Sequence, residues 1–222
     1  MRPPPKPLGE HPVRAITKNH RAVTGTLAST KGPAGAQYES ALERDFFLQL
    51  DFDPSVVRFV PQPVLISWVN GRGRKLQYPP DVLVHYSDGR RPALFEVKYV
   101  AETQEKADEL RIKFRAARAF AREQGWTFTL VTERTVRAPS LKNIQFLRPY
   151  AARVFAEDQT GPLLTALGHE VSTPESLLST FPEAERPHLI PALWHLVATH
   201  RIEADLSLPF TMKSAIRARR RS

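Results

Sequence analysis

Residues 80–98 read PDVLVHYSDGRRPALFEVK, two apolar runs that flank a Ser-Asp-Gly-Arg turn and each carry an acid at one end. Such runs around a turn predict two neighbouring antiparallel strands, with Asp81 entering the first and Glu96 near the end of the second. Side chains two positions apart share one face of a strand, so Glu96 and Lys98 are expected to point together. Two carboxylates and an ammonium group should therefore converge.

This set of side chains suits the hydrolysis of a phosphodiester. Carboxylate oxygens are ligands that Mg²⁺ prefers, and the metal ion lowers the pKa of the attacking water. Lys98 can orient that water or neutralise charge that develops on the phosphate. A hairpin with surface acids is the plain alternative, but the apolar motif strand and the amphipathic helix that follows it favour a metal-dependent nuclease.

Composition limits the remaining function classes. The chain of 222 residues can bury one core and a small second one, and its net charge of +9 favours a polyanionic partner such as DNA. It contains no cysteine, which excludes disulfides and thiolate metal sites. No run approaches membrane-spanning length, so we expect no membrane association.

The pattern along the chain predicts three segments. Residues 1–36 are rich in proline and basic residues and predict an extended basic arm, residues 37–155 predict a catalytic domain, and residues 156–222 predict a small interaction domain with a basic tail. The catalytic domain should be an α/β three-layer core with the order helix, three-strand meander, helix, strand. Its elements are expected near residues 39–51, 56–69, 75–86, 92–99, 102–124 and 126–132, with a further helix at 139–150 packing against them.

The last segment is predicted to be mainly helical. Three short helices, near 161–168, 174–178 and 183–199, precede an alternating strand at 202–208. Three helices and a strand resemble a winged-helix module, which can bind DNA or another protein. A protein contact is favoured, because this segment is not basic before its terminal arginines.

Arginines form two candidate DNA-binding groups. Those of the 102–124 helix recur at spacings of four, three and four, which predicts a ridge that is either solvated or in contact with a DNA backbone. The others lie in the basic tail, suited to phosphate contacts. The candidates are Arg111, Arg115, Arg118, Arg219, Arg220 and Arg221, with Arg122 continuing the ridge.

Four short stretches together resemble the TnsA family, the endonuclease subunits of heteromeric, Tn7-like transposases. They are Glu39-Ser40-Ala41-Leu42-Glu43-Arg44-Asp45, Gln62-Pro63, Tyr78-Pro79-Pro80-Asp81 and Phe95-Glu96-Val97-Lys98. The resemblance extends over residues 37–150 and implies a restriction-endonuclease-like PD-(D/E)XK fold. One departure is Val82, where the family often has phenylalanine after the aspartate.

The resemblance implies that Glu43, Asp81, Glu96 and Lys98 are catalytic. It also implies that Asp81, Glu96 and the Val97 carbonyl bind Mg²⁺, with Mn²⁺ as a substitute. Glu39 is the rival of Glu43 for the helix acid, and the apolar residues that follow Glu43 favour Glu43.

The resemblance also implies partners and a location. This subunit would cut the 5′ ends of a transposon while a TnsB-like transposase acts at the 3′ ends, and a TnsC-like ATPase regulator would contact the C-terminal region. Such a protein would act in the prokaryotic cytoplasm, on nucleoid DNA. Two alternatives stay open: a stand-alone restriction-type or junction-resolving nuclease, and a DNA-binding or scaffold protein with a vestigial site.

Overall fold

The computed structural model describes residues 13, 24–33 and 35–219. It divides into two compact units, the first ending at Val136 and the second beginning at Arg137. Both units mix helices with short strands, so the α/β class expected from the sequence is confirmed at this level.

The first unit contains eight strands and four helices within its described residues. In chain order they are β1 (Gly25–Leu27), β2 (Ala36–Tyr38), α1 (Ala41–Phe52), β3 (Val56–Pro61), β4 (Ile66–Val69), β5 (Lys75–Tyr78), β6 (Val82–Tyr86), β7 (Ala93–Val97), α2 (Val100–Glu105), α3 (Ala107–Glu123), β8 (Thr127–Val131) and α4 (Glu133–Val136).

A four-stranded mixed sheet organises this unit, with strand order β3-β6-β7-β8. The first three strands are antiparallel neighbours, and β8 runs parallel to β7 after a helical crossover. The predicted meander followed by a parallel strand is therefore present. Its acids lie at one end of the two central strands, where β7 finishes and β6 begins.

The predicted strands at 56–69 and 75–86 are each broken in two. Pro61 and Pro63 interrupt the first, and Pro79 and Pro80 the second, because proline cannot donate a ladder hydrogen bond. The inner halves, β4 and β5, pair only with each other and form a ribbon separate from the sheet. Asp81 therefore lies just before β6 rather than within a strand.

The two faces of the sheet are covered by different helices. On one face, α1 packs Leu42 and Phe47 against Val82 and Val97 of the strands. Its start is fixed by the N-cap Ser40, whose hydroxyl accepts the N–H of Glu43 at 3.1 Å.

On the other face, Leu83 and Leu94 pack with Ala117 of α3 and with the aromatic side of the β4–β5 ribbon. The predicted single helix at 102–124 is two helices, α2 and α3, separated at Lys106.

Part of the predicted N-terminal arm is folded. Strands β1 and β2 pair antiparallel, and Leu27 and Ala36 are buried against the core formed by α1. The expected extended arm is wrong for these residues, because their apolar side chains pack into the core. Most of the rest of the arm lies outside the described residues.

The second unit contains four helices and two short strands in its described part. They are α5 (Pro139–Ala151), α6 (Glu157–Leu167), α7 (Pro174–Ser179), α8 (Arg186–Ala198), β9 (Ile202–Ala204) and β10 (Ile216–Ala218).

Helix α5 packs on α8 within this second unit, whereas the sequence pattern assigned residues 139–150 to the nuclease core. The sequence also predicts that Arg217 to Arg221 form the basic tail, but Arg217 lies in β10, which pairs antiparallel with β9, and donates to Glu203 at 2.7 Å. Across the described residues, no helix has both the length and the apolarity that a bilayer crossing would need.

Candidate active site

Three of the predicted site residues meet where β6 begins and β7 ends. They are Asp81, Glu96 and Lys98. The ammonium Nζ of Lys98 lies 3.6 Å from Asp81 Oδ2 and 3.2 Å from Glu96 Oε1. Lys98 also donates to the Val97 carbonyl oxygen at 3.1 Å. The convergence expected from strand periodicity is thus present in the structure.

Hydrogen bonds to the segments on both sides hold the backbone of Asp81 in place. Its N–H donates to the Phe95 carbonyl at 3.1 Å, and its carbonyl accepts the N–H of Gln62 at 3.0 Å. Its carboxylate Oδ2 accepts the Val97 N–H at 2.6 Å. Gln62 is buried with φ of 44°, a left-handed conformation that costs energy in a non-glycine residue and that clusters at functional sites.

Glu96 is the most deeply buried member of the group, with only 1% of its surface exposed. Its Oε1 receives two ammonium groups, Lys98 at 3.2 Å and Lys113 at 2.7 Å. Its Oε2 is buried and has no hydrogen-bond partner among the described residues. A buried carboxylate oxygen without a partner is costly unless a ligand satisfies it.

Lys113 is a site residue that the sequence analysis missed. It projects from α3, and its ammonium also lies 3.9 Å from the centroid of the Tyr78 ring. The signal was available, because Lys113 falls among Leu110, Phe114 and Ala117 on the buried face of an amphipathic helix. The pattern does not show, however, which acid such a lysine meets.

Glu43 lies at the first turn of α1 and is 8% exposed. Its Oε2 accepts the N–H of Glu39 at 3.0 Å, and its Oε1 accepts the Ser40 hydroxyl at 3.0 Å. It interacts electrostatically with Lys98 and with the half-buried Glu39. The interaction with Lys98 places Glu43 in one electrostatic group with Asp81 and Glu96.

The electrostatics of the site disfavour the ionised forms of Asp81 and Glu43. Burial raises the pKa of Asp81 well above its usual range, and the nearby Glu96 raises it further. Burial also raises the pKa of Glu43. For Lys98, burial lowers the pKa, but Asp81 and Glu96 more than offset this effect and the pKa is raised. Lys98 therefore stays protonated at neutral pH.

The donor atoms fit a hard divalent cation. Asp81, Glu96 and the Val97 carbonyl carry oxygen atoms of the kind that such a cation binds, and Glu96 Oε2 accepts no hydrogen bond from the described residues. Within residues 13, 24–33 and 35–219, no group of three or more His, Asp or Glu side chains forms a preformed metal cluster. The set that fits uses two carboxylates and a backbone carbonyl instead.

The candidate DNA-binding arginines of α3 are exposed on the helix, and Arg111 pairs with Asp108 at 3.5 Å. Arg219 is exposed and donates its N–H to the Arg201 carbonyl in the second unit. Arg220 and Arg221 lie outside the described residues.

Comparison with known families agrees with the division of the chain. Residues 53–133 match the model described as TnsA-like endonuclease N terminal, and residues 136–206 match the model described as TnsA endonuclease C terminal. Asp81, Glu96, Lys98 and Lys113 lie within the first match, whereas Glu43 precedes it. A search of curated proteins found no match.

Proposed function

The chain belongs to the TnsA-like endonuclease family, and from this premise we propose that it is the metal-dependent DNA endonuclease subunit of a heteromeric transposase. Its two TnsA domains make it a transposase nuclease subunit, and TnsA acts with DNA and other Tns proteins in Tn7-type transposition. The proposal extends to the chemistry: hydrolysis of phosphodiesters at the 5′ ends of the transposon.

The observation that carries the proposal is the arrangement around Glu96. Glu96 is 1% exposed, and one of its oxygens has no donor in the described part of the chain. Beside it lies a second carboxyl group, Asp81, whose ionised form is disfavoured. A fold retains such a costly arrangement where a ligand compensates it. A structural ion pair would be expected to satisfy both oxygens.

The ligands proposed for Mg²⁺, with Mn²⁺ as a substitute, are Asp81, Glu96 and the Val97 carbonyl. When bound, the cation would neutralise negative charge on the scissile phosphate and lower the pKa of a nearby water. The residues of the chain hold Asp81 rigidly for this task, because its carboxylate, N–H and carbonyl are all hydrogen-bonded.

Lys98 acts in this proposal as a fixed positive charge. Its raised pKa keeps it an ammonium ion, so it donates hydrogen bonds and does not accept the proton of the attacking water. It would stabilise the charge that develops on the phosphate. Hydrolysis of the phosphodiester would leave a 5′-phosphate and a 3′-hydroxyl.

Glu43 has a supporting role in the proposal. Both of its oxygens already accept hydrogen bonds from the start of α1, so its charge, rather than a free oxygen, reaches the site. That charge acts on Lys98 and on Asp81. It would help to keep the lysine protonated and oriented.

We further propose that the first unit is a restriction-endonuclease-like core and the second a winged-helix-like interaction module. The order β3-β6-β7-β8 with α1 and α3 on opposite faces supports the first assignment. Helices α6, α7 and α8, followed by the paired strands β9 and β10, support the second. Transposon ends, a TnsB-like transposase and a TnsC-like ATPase are the proposed partners, in the prokaryotic cytoplasm.

Strand-resolved nicking at the 5′ ends of a plasmid-borne transposon, with the partner transposase present and with Mg²⁺ or EDTA, tests the chemistry. We expect nicking by the wild type only in Mg²⁺, and loss of nicking in Glu96→Gln, which keeps the shape of the side chain and removes its charge. Glu123→Gln is the matched control, since Glu123 is exposed at the far end of α3. Nicking by Glu96→Gln at the wild-type rate would refute the proposed site.

A further inference from the structure

Two lysines share a single oxygen of Glu96. Lys113 lies 2.7 Å and Lys98 3.2 Å from Oε1, whereas Oε2 is buried and has no partner within the described residues. The contacts on this carboxylate are therefore one-sided. Lys98 also lies 3.6 Å from Asp81 Oδ2, so the two lysines differ in their surroundings, which suggests that they have different tasks.

Lys113 is held more firmly than Lys98. It makes the shorter contact, its side chain is 15% exposed, and its ammonium lies 3.9 Å from the centroid of the Tyr78 ring, which attracts a cation. Its helix is anchored on either side by the buried Leu110 and Ala117. Lys113 thus has a fixed position relative to β7.

Lys98 instead divides its contacts among three acceptors. Its ammonium lies 3.1 Å from the Val97 carbonyl, 3.2 Å from Glu96 Oε1 and 3.6 Å from Asp81 Oδ2. None of these contacts is as short as the one that Lys113 makes. A lysine with several longer contacts can change partner when another anion enters the site.

We propose that Lys113 is a positioning residue that holds Glu96 by Oε1, so that Oε2 stays available to the divalent cation. It also compensates the charge of Glu96 when Lys98 turns to the scissile phosphate, because an uncompensated buried carboxylate is strongly destabilising. The inference rests on the proposed function, since it assigns a task to Lys113 at the same site.

The affinity for a divalent cation, measured without DNA, tests this role. The direction in which a substitution changes this affinity is informative. Removing a positive charge beside a cation site should by itself strengthen cation binding. We therefore compare Lys113→Met with Lys98→Met by calorimetric titration of Mn²⁺ into the full-length protein, with free Mn²⁺ measured by electron paramagnetic resonance. Both variants remove one ammonium from the same oxygen of Glu96.

We expect Lys113→Met to weaken Mn²⁺ binding by about tenfold or more, as losses of residues that orient metal ligands do. Lys98→Met should bind Mn²⁺ as tightly as the wild type or more tightly. Lys113→Arg, which keeps a cation able to donate to Oε1, should restore most of the affinity. Unchanged or tighter binding by Lys113→Met would overturn the inference.

Circular dichroism and thermal unfolding establish whether each variant is folded. If Lys113→Met does not fold, Tyr78→Leu tests the same role, because it removes the ring beside the ammonium and keeps the lysine. Tyr78→Leu should then weaken Mn²⁺ binding while Tyr78→Phe does not, and equal affinities would overturn the inference. Absence of Mn²⁺ binding by the wild type would instead refute the proposed metal dependence.

Discussion

Asp81 lies in a buried site that disfavours its ionised form. Burial, Glu96 and Glu43 all raise the pKa of Asp81, and the Lys98 ammonium only partly offsets them. The folded protein therefore binds a proton at Asp81 more tightly than the unfolded chain does. Stability should fall as the pH rises from the ordinary aspartate pKa through the raised one.

Replacing Asp81 by asparagine should remove this loss of folding stability at high pH. In EDTA at pH 8 we expect Asp81→Asn to unfold at a higher temperature than the wild type, by about 2–4 °C for each kcal/mol gained. The difference should shrink towards pH 4, where the wild-type carboxyl is protonated. The asparagine oxygen can still accept the Val97 N–H.

Asp88→Asn is the control of opposite sign for this measurement. Asp88 is exposed at the β6–β7 turn, and hydrogen bonds from Arg90 lower its pKa. Its ionised form is favoured in the folded protein, so asparagine should not raise the unfolding temperature at pH 8. Equal responses of the two variants would contradict the electrostatic account of Asp81.

The choice between Glu39 and Glu43 gives a second residue-level prediction. Glu43→Gln should reduce the nicking rate about tenfold or more, because its charge acts on Lys98 and Asp81. Glu39→Gln keeps the backbone N–H that donates to Glu43, and should stay near the wild-type rate. A larger loss in Glu39→Gln than in Glu43→Gln would reverse the assignment.

Strand periodicity was sufficient to predict how three residues of the site meet. Glu96 lies in β7 and Lys98 directly follows that strand, and the turn between β6 and β7 places Asp81 beside them, just before β6. Lys113 escaped prediction because its partner lies 17 positions away on another element. A lysine on an apolar helix face indicates that a partner exists, and only the packing of α3 on the sheet shows which acid it is.

At the scale of elements, prolines account for the two predicted strands that are each broken in two. The sequence predicts the bend at Pro61 and Pro63. It does not predict that the strand after the bend leaves the sheet. Strand β4 pairs with β5 in a ribbon that packs on α3 and places Tyr78 beside Lys113. The break at Pro79 and Pro80 thereby brings the ribbon and Asp81 to the same end of the sheet.

The exposed face of α3 supplies a prediction about DNA binding. The double variant Arg115→Gln/Arg118→Gln should lower the affinity for duplex DNA and make its dependence on salt shallower by about one to two in log–log slope. Fluorescence anisotropy over a series of salt concentrations measures this slope.

Arg90→Gln/Arg91→Gln is the matched control, since both arginines are exposed at the turn at the opposite end of β6 and β7 from Asp81. It removes the same charge and should change the slope less. If the two double variants behave alike, the arginine ridge of α3 has no specific role in DNA binding.

At the scale of the whole molecule, the sequence indicated two parts but misplaced the boundary between them. The composition shows no domain boundary before residue 139. The apolar pattern of the helix at 139–151 is compatible with packing against either core. Its partner is α8, which also contacts α6 and α7. Only three-dimensional packing assigns α5 to the second unit.

Two fragments test that assignment. Residues 137–222 should fold alone and unfold cooperatively, because they bury an apolar core of their own that includes Leu163, Leu193 and Ile216. Residues 156–222, which lack α5, should lose helical signal and cooperativity by circular dichroism. Equal stability of the two fragments would show that α5 is dispensable to this unit.

The central claim is that Asp81 belongs to a nuclease site that cuts transposon 5′ ends within a heteromeric transposase. Strand-resolved cleavage of transposon-end DNA in Mg²⁺ tests it most directly, with and without the partner transposase, for the wild type and Asp81→Asn. We predict 5′-end cutting that requires the partner and is lost in the variant. Identical products from wild type and Asp81→Asn would contradict the site, and 5′-end cutting that does not need the partner would contradict the heteromeric assignment.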